Sequence, residues 1–478
     1  MRRNVAIAIM GVALYGCGTD YVPDGDDEPV ATPTWFQHVA PIVAERCMGC
    51  HQPDSVAPFA LTTYADAVEH GAMMVDAIDR GVMPPFDAQE SPDCTPRHGW
   101  QDDPRLTAAE KATVRAWVES GFAKGTDEAI EIPETPELDN VSQTLSPAQG
   151  YVTSGTRDEF MCFVMDPGTA TLRWITGMQV RPGNDLVVHH AVITQVDETE
   201  GNALVARHGL GTAFACDTTP GSFVMHIWTP GNQPMRTPPT LAVPLGPRNK
   251  VVMQIHYHPA GGTHAPDTTK IDLQYSTVWP RKMYFVTAIG NEVAAPNLEP
   301  GPGDNGAPRF LIPASSADHT EKMSRDITTL GDLTNVKLYS VNPHMHLVGT
   351  HISSKIHRPA ARGNEPQTEC LANGGWNFDW QRTYTYDADI DELPSIEVGD
   401  RISVSCGWNN TMDNPFVERM LHDSNLPPQP IDISLGEQTT QEMCLEIFGI
   451  AVDAPAQPLL ATDPVALPDL RAIDMFVR

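Results

Sequence analysis

The chain has 478 residues and a formal net charge of −30, from 31 Lys and Arg against 61 Asp and Glu. At about 150 residues per domain, this length predicts about three domains and excludes a single small fold. The acidic charge argues against nucleic-acid partners, because a negative surface repels phosphate. The 43 Pro and 36 Gly exclude coiled coils and long helical bundles and favour short strands joined by turns.

The amino-terminal residues predict export. Arg2 and Arg3 precede an apolar run at residues 5–14, which is too short to stay as a membrane-spanning helix. Residues 14–17 (Leu-Tyr-Gly-Cys) resemble a bacterial lipobox. Cys17 is therefore the predicted lipidation site, and its acyl groups anchor the chain to a bacterial membrane, facing the periplasm or the cell surface. The alternative is a cleaved secretion signal without an anchor. No later apolar run is long enough for a transmembrane segment.

The pattern of apolar residues changes along the chain. Residues 34–125 have helical spacing, and Thr107 with Glu110 forms the capped start of one helix. From residue 151 onward, runs rich in β-branched residues alternate with turn clusters, which is typical of antiparallel sheets. A loop at residues 296–308 that is rich in Pro and Gly indicates a boundary between two β units.

A Cys-x-x-Cys-His motif lies within the helical region. Two thiols three residues apart can add to the two vinyl groups of one porphyrin, and the adjacent His can bind the iron. The sequence has no second Cys-x-x-Cys pair that would complete a zinc site. It therefore predicts one covalently bound haem c, held by Cys47, Cys50 and His51.

Met83 is the predicted sixth ligand of this iron. It follows Gly81 and precedes two prolines, which resembles the ligand loop of class I cytochromes c. His98 is a competing ligand, and an open site is a further alternative. A Met ligand raises the reduction potential and so suits an electron carrier.

Paired histidines mark two strands downstream. His189 and His190 are adjacent, and adjacent side chains of a strand point to opposite faces. Both can bind one ion only if the strand twists or ends there, or if they use different ring nitrogens. His256 and His258 are two residues apart and lie on one face of their strand.

A third segment adds a different kind of ligand. His344 and His346 form another pair on one strand face, and Met443 lies farther along the chain. Imidazole suits Cu(II), and a thioether favours Cu(I). The combination predicts copper that cycles between both oxidation states.

These segments resemble the copper type II, ascorbate-dependent monooxygenases, the family of peptidylglycine alpha-hydroxylating monooxygenase and dopamine beta-monooxygenase. The likeness extends over residues 158–452, with the motifs in the family's order. The matching segments are residues 158–162, 189–190, 254–257, 344–347 and 442–444.

The resemblance implies two copper ions with separate ligand sets. The electron-transfer copper would be held by His189, His190 and His256. The copper at which dioxygen and substrate react would be held by the predicted catalytic residues His344, His346 and Met443. His258 lies outside the family's ligand set.

The resemblance also implies the fold class. It is a multidomain chain with a small all-α cytochrome c-like domain followed by two antiparallel β-sandwich copper domains of jelly-roll type, with an open cleft between them. The predicted segments are a signal peptide at 1–16, a flexible tether at 17–33, the haem domain at 34–125, a linker at 126–150, the copper domains at 151–290 and 291–455, and a tail at 456–478.

Disulfides are expected in an exported chain with nine Cys. If Cys17 is lipidated and two Cys hold haem, six remain, and the sequence alone does not fix their pairing. The family likeness implies the pair Cys406–Cys444 and makes Cys162–Cys216 a candidate.

The predicted activity is hydroxylation of an activated C–H bond of a small organic substrate with dioxygen. Ascorbate or another external donor supplies the electrons, and we hypothesise that the haem relays them to copper. Peptide amidation is not expected, because the family's carboxylate-binding positions carry Asn342, Leu445, Glu446 and Ile447 here. The alternative from another class is a non-catalytic electron-transfer or copper-binding lipoprotein on the same scaffold, and an unrelated β-sandwich adhesin with chance His pairs is a third.

Overall fold

The structure is a computed structural model, and it describes residues 32–53, 57–134, 136–155, 158–216, 218–221, 223–230, 232–258, 264–301, 304, 306–424, 426–438, 440–458, 465, 467 and 468. The predicted signal peptide and the lipidation site at Cys17 lie outside these residues. The described chain divides into two compact units. One comprises the chain up to Pro84 together with Arg105–Pro133, and the other comprises Pro85–Pro104 and the chain from Glu134 onward.

The first unit is helical. Its elements are a π-helical turn at Trp35–Val39, α1 at Ala40–Arg46, α2 at Tyr64–Asp79 and α3 at Ala108–Glu119. Thr63 and Thr107 begin α2 and α3 with capping boxes, in which the Thr hydroxyl accepts a hydrogen bond from the backbone N–H three residues later. The predicted helix start at Thr107 is confirmed. The core of this unit packs around Trp35 and Trp117, whose ring centroids are 5.5 Å apart.

The second unit consists mainly of strands. Its helices are α4 at Glu198–His208 and α5 at Pro415–Asp423. Its strands are β1 at Gly99–Trp100, β2 at Gln143–Leu145, β3 at Glu159–Met165, β4 at Arg173–Arg181, β5 at Val188–Val196, β6 at Phe214–Ala215, β7 at Phe223–Trp228, β8 at Met235–Arg236, β9 at Leu241–Leu245, β10 at Lys250–Tyr257, β11 at Lys270–Tyr275, β12 at Lys282–Gly290, β13 at Leu311–Ile312, β14 at His319–Asp326, β15 at Lys337–His344, β16 at Gly349–His357, β17 at Thr368–Gly375, β18 at Tyr384–Asp387, β19 at Arg401–Trp408, β20 at Ile433–Ser434 and β21 at Leu445–Asp453.

Most of these strands belong to one sheet. Its longest path of neighbours is β1-β18-β15-β21-β12-β7-β5-β10-β3-β6, and β9, β4, β8, β11 and β2 join it where β9 pairs with β12. A second sheet has the order β14-β19-β16-β17. Among the described strands, every pair except β9 with β12 is antiparallel. Strand β10 lies inside the large sheet and is buried along its whole length, so side chains on both of its faces are shielded from water.

The predicted fold class is wrong in its first domain. Strands account for 34% of the chain and helices for 14%, and within the described residues the predicted segment 34–125 does not form a separate all-α cytochrome c-like domain. Pro85–Pro104 lies inside the predicted segment 34–125 but belongs to the β unit. There β1 pairs with β18, and Cys94 is bonded to Cys370. A strand of two residues has no periodicity, so the sequence pattern could not show where this segment packs.

The two predicted β-sandwiches also are not separate units. Strand β12 ends at the predicted boundary, yet it pairs with β21 from Lys282 opposite Asp453 to Gly290 opposite Leu445. Residues on both sides of the loop at 296–308 therefore share one sheet. Pro and Gly reveal that the chain turns, but they carry no information about which distant strand pairs with which.

The described residues form three disulfides, Cys406–Cys444, Cys162–Cys216 and Cys94–Cys370. The first two pairings confirm the prediction, and the third is one that the sequence left open. Disulfides persist in oxidising compartments, so all three are consistent with an exported protein. Within the described ranges, no helix combines the length and the apolar character needed to cross a membrane.

Candidate metal centre

Strands β5 and β10 bring the first predicted ligand set together through a β-bulge. His256 lies opposite His190, but the next residue, Tyr257, lies opposite Val188. His189 is the extra residue of this bulge. The bulge breaks the alternation that would otherwise point His189 and His190 to opposite faces of the sheet. The distorted strand thus meets one of the conditions under which adjacent histidines can share an ion.

The nitrogens of the first set are close enough to share one metal ion. One ligand atom from each of His189, His190 and His256 lies within 4.8 Å of the other two. The Nδ1 atoms of His189 and His190 are 3.2 Å apart, and two nitrogens bound to one tetrahedral ion at about 2.0 Å have about this separation. Neither ring nitrogen of His256 has a hydrogen-bond partner in the described chain, although both are buried. Buried polar atoms without partners are costly, so the set fits a metal ion.

A carboxylate lies directly behind the first set. Asp158 Oδ1 is 2.6 Å from Nδ1 of His258, and its Oδ2 is 3.4 Å from Nε2 of His256. The second distance suits an ion pair but is long for a hydrogen bond. On its other side, His258 Nε2 lies 3.3 Å from a guanidinium nitrogen of Arg419. His258 is therefore connected to the ligand set through Asp158.

The second predicted set lies near the ends of β15 and β21. His344 is the last residue of β15, His346 lies in the turn after it, and Met443 comes shortly before β21. His344 Nδ1 is 3.1 Å from Oε1 of Gln381, and His346 Nδ1 is 3.0 Å from the main-chain oxygen of Gln441. Each contact satisfies Nδ1, and metal-binding imidazoles with such a contact usually bind the ion through Nε2.

Glu442 fixes the backbone of the second set. Its buried carboxylate accepts hydrogen bonds from the N–H groups of His346 at 2.9 Å, Val348 at 2.8 Å and Met443 at 3.2 Å. One side chain thus ties the turn that carries His346 to the segment that carries Met443. Such a fully satisfied buried network favours a single arrangement of the backbone.

Both ligand sets line a single pocket of about 300 Å³. The ring centroids of His190 and His344 are only 6.1 Å apart. The two sets of this chain are therefore not separated by the open cleft that the family fold implies. The rest of the wall is more apolar than polar and includes Phe160, Leu445 and Ile447.

Burial favours the neutral form of four histidines of the pocket. It lowers the pKa of His344 to about 4 and that of His346 to about 3. Burial also lowers the pKa values of His189 and His190 well below the usual value. Because only the neutral ring has a free lone pair, these four imidazoles are ready to bind metal at neutral pH.

The predicted haem ligands lie in the helical unit. Cys47 and Cys50 lie in the turn after α1 and take part in none of the three disulfides. His51 Nδ1 is 2.9 Å from the main-chain oxygen of Phe59, which leaves Nε2 for an iron. These three residues fit covalent haem attachment. Met83 is 43% exposed beyond the end of α2, and the competing ligand His98 belongs to the β unit.

Sequence reasoning missed a segment that contacts both ligand sets. Phe378 and Gln381 lie between β17 and β18. The Phe378 ring stacks on His189 with 4.6 Å between centroids, while Gln381 holds His344. Phe378 lies in an aromatic segment at residues 376–380 whose pattern is typical of strand core, and Gln381 belongs to no motif. Both are distant in sequence from the histidines, so no local signal indicated these contacts.

The comparisons with known proteins do not assign this chain to a family. No model of a protein family matches the chain, and no curated protein matches it either. Among solved structures, the major capsid protein P2 from Bacteriophage PM2 is 8% identical over 62% of this chain and 98% of that chain, with a TM-score of 0.23. PNGF-II is 9% identical over 65% of this chain and 59% of that chain, with a TM-score of 0.21. A chain of Sulfolobus Turreted Icosahedral Virus is 11% identical over 60% of this chain and 93% of that chain, with a TM-score of 0.17. TM-scores this low carry no conclusion about fold or function.

Proposed function

We propose that the β unit is a copper-dependent monooxygenase that hydroxylates an activated C–H bond of a small organic substrate. The balanced reaction is R–H + O2 + 2 e⁻ + 2 H⁺ → R–OH + H2O. The proposal rests on one observation, namely that five imidazoles and one thioether line a single pocket. Copper bound there would supply one-electron redox chemistry and the activation of dioxygen.

The two sets would have different tasks. Three imidazoles at His189, His190 and His256 suit both oxidation states of copper and so the storage of one electron. The thioether of Met443, beside His344 and His346, favours the reduced ion and so the site that meets dioxygen. The ring centroids of His190 and His344 are 6.1 Å apart. An electron would therefore cross only a short distance between the two sets.

The walls would control what reaches the reacting atoms. Leu445 and Ile447 offer apolar surface where the substrate lies, and Phe160 shields His256 by stacking on it at 4.4 Å. Apolar walls limit the entry of water and so protect reactive oxygen species from wasteful protonation. The substrate is accordingly expected to present a hydrocarbon group to the second set.

The proposal also covers the electron supply and the location of the protein. Haem bound covalently to Cys47 and Cys50, with His51 on the iron, would receive electrons from ascorbate or another donor and pass them to copper. A lipid on Cys17 would hold the chain at a bacterial membrane. In a His51→Ala variant, ascorbate should reduce the pocket copper more slowly than in wild type, as followed by the copper EPR signal. An unchanged rate would remove haem from the electron path.

Metal content and coupled turnover test the proposed activity. We expect about two copper ions and one haem iron per chain, and uptake of oxygen that matches the amount of hydroxylated product in a substrate screen. His346→Ala should abolish product formation. The matched control is His351→Ala, because His351 is an exposed β16 residue that lies outside the pocket. Retained copper with peroxide as the sole oxygen product would instead support the non-catalytic copper-binding alternative.

A further inference from the structure

A second cavity of about 300 Å³ adjoins the histidine-lined pocket described above. Ile227, Asn342 and Ile447 line both spaces. Asn342 of β15 and Ile447 of β21 lie directly opposite each other in the sheet, so their side chains form a thin shared wall. Because Asn342 is two residues before His344, this wall lies beside the second ligand set.

Two arginines give the second cavity a positive character. Arg236 and Arg382 both line it, and among the described residues neither has a carboxylate within ion-pair distance. Arg382 donates a hydrogen bond of 3.0 Å to the main-chain oxygen of Asp102, and its guanidinium lies 5.3 Å from the centroid of the Phe86 ring. Arg236 donates to the main-chain oxygen of Glu137. These neutral partners hold both guanidinium groups in place without cancelling their charge.

The remaining polar lining fits an anion better than a cation. Asp102 is the one acidic residue among the residues that line the cavity, against two arginines. His226 also lines it, and its buried Nε2 has no hydrogen-bond partner in the described chain. Burial lowers the pKa of His226 to about 4, so the ring is neutral and the positive charge of the cavity comes from the two arginines alone. The chain has a net charge of −30, so the binding of an anion is most favourable in a cavity with a local positive charge.

We propose that the second cavity binds a carboxylate on the substrate, with Arg382 as its main partner and Arg236 as a second. This inference rests on the proposed function, and it names the substrate class as an organic acid whose hydrocarbon part enters the histidine-lined pocket. A planar guanidinium matches a carboxylate through two parallel hydrogen bonds, which a neutral amide cannot reproduce. The acid group would therefore fix which carbon lies beside His344, His346 and Met443.

Calorimetric titration of the full chain with a matched pair of probes tests this inference. The probes are 3-phenylpropionate and 3-phenylpropionamide, which share a shape and differ in charge. We expect wild type to bind the acid at least about tenfold more tightly than the amide. Arg382→Gln should abolish this preference, and Arg382→Lys should keep part of it because a point charge remains without the fork geometry.

The control variant is Arg80→Gln, since Arg80 lies on the helical unit, is 62% exposed and pairs with Asp76. It should keep the full preference for the acid. Equal binding of both probes by wild type, no binding of either at millimolar concentration, or an unchanged preference in the double variant Arg236→Gln with Arg382→Gln would overturn the inference.

The same titration on copper-free and copper-loaded protein separates this inference from the proposed activity. A preference for the acid in a chain that retains no copper would support the carboxylate cavity while removing the monooxygenase. Copper retention without any preference would remove only the carboxylate cavity.

Discussion

The two ligand sets of the pocket are held in different ways. The first set depends on a β-bulge at His189 within the large sheet, and a carboxylate, Asp158, lies behind it. The second set lies at strand ends, and its imidazole Nδ1 atoms contact neutral oxygens of Gln381 and Gln441. The carboxylate of Glu442, which lies next to this set, accepts hydrogen bonds from backbone N–H groups and not from a ring.

This difference indicates how one pocket can treat two copper ions differently. A carboxylate behind an imidazole makes the ring a stronger donor and favours the more highly charged ion. Neutral oxygens leave the ring a weaker donor, and a thioether favours the reduced ion. The groups around the ligands, as well as the ligands themselves, are thus expected to make the copper affinities of the two sets differ.

The largest effect is expected from removal of a ligand in the first set. His256→Ala should lower the copper content from about two ions per chain to about one, because two imidazoles alone do not hold the ion. Copper and iron analysis after dialysis measures this loss. His351→Ala serves as the control and should keep both ions. Full copper retention by His256→Ala would show that the first set is not a metal site.

Met443→Leu should act on the second set and on one oxidation state. Leu has nearly the volume of Met but no donor atom, so the affinity for Cu(I) should fall by about a hundredfold while Cu(II) binding changes little. Competition with a coloured Cu(I) chelator measures the first quantity, and EPR titration measures the second. Equal losses for both ions would contradict the assigned role of the thioether.

Asp158→Asn removes the charge behind the first set but keeps the shape of the side chain. Copper affinity of that set should fall by about 10–100-fold, as is usual when the partner of a metal-binding His is changed. The EPR signal of the first ion should shift, while Cu(I) binding by the second set stays the same. A matched control is Glu418→Gln on the exposed face of α5. If the EPR signal does not change, Asp158 has no influence on the ion.

A last effect concerns stability and appears only above acidic pH. Strand β21, which follows Met443, carries the fully buried Glu446, whose carboxyl oxygens have no well-formed hydrogen bond in the described chain. In contrast, the strands that carry the first set, β5 and β10, contain no acidic residue, so this effect belongs to the second set alone. Burial raises the pKa of Glu446 from 4.5 to about 8, so the folded chain keeps a proton that the unfolded chain loses above pH 4.5.

The free energy of unfolding should therefore fall as pH rises from 4.5 towards 8, and Glu446→Gln should remove this part of the dependence. Relative to the variant, wild type should lose roughly 2–4 kcal/mol over this range. Denaturant unfolding at several pH values measures the difference. Parallel curves for wild type and Glu446→Gln would show that the carboxyl is not held in its protonated form.

The sequence by itself determined the local features of this protein. A helix start such as Thr107 depends on contacts within one turn, so its signature lies in neighbouring residues. Spacing also selected His344 and His346 as candidate ligands, although β15 ends at His344 and the predicted shared strand face does not extend to His346. The disulfides Cys406–Cys444 and Cys162–Cys216 followed from the family likeness and are confirmed.

Only the tertiary structure decided what depends on distant partners. The bulge that turns His189 towards His190 arises from the register of β5 against β10, and a register is a property of two strands. The same holds for β12 with β21, which joins the two predicted sandwiches. Gln381 contacts His344 because the segment between β17 and β18 lies next to the end of β15 in one pocket. Periodicity records how each segment buries its own side chains, whereas pairing between distant segments is fixed by the packing of the whole core, and that information is not local.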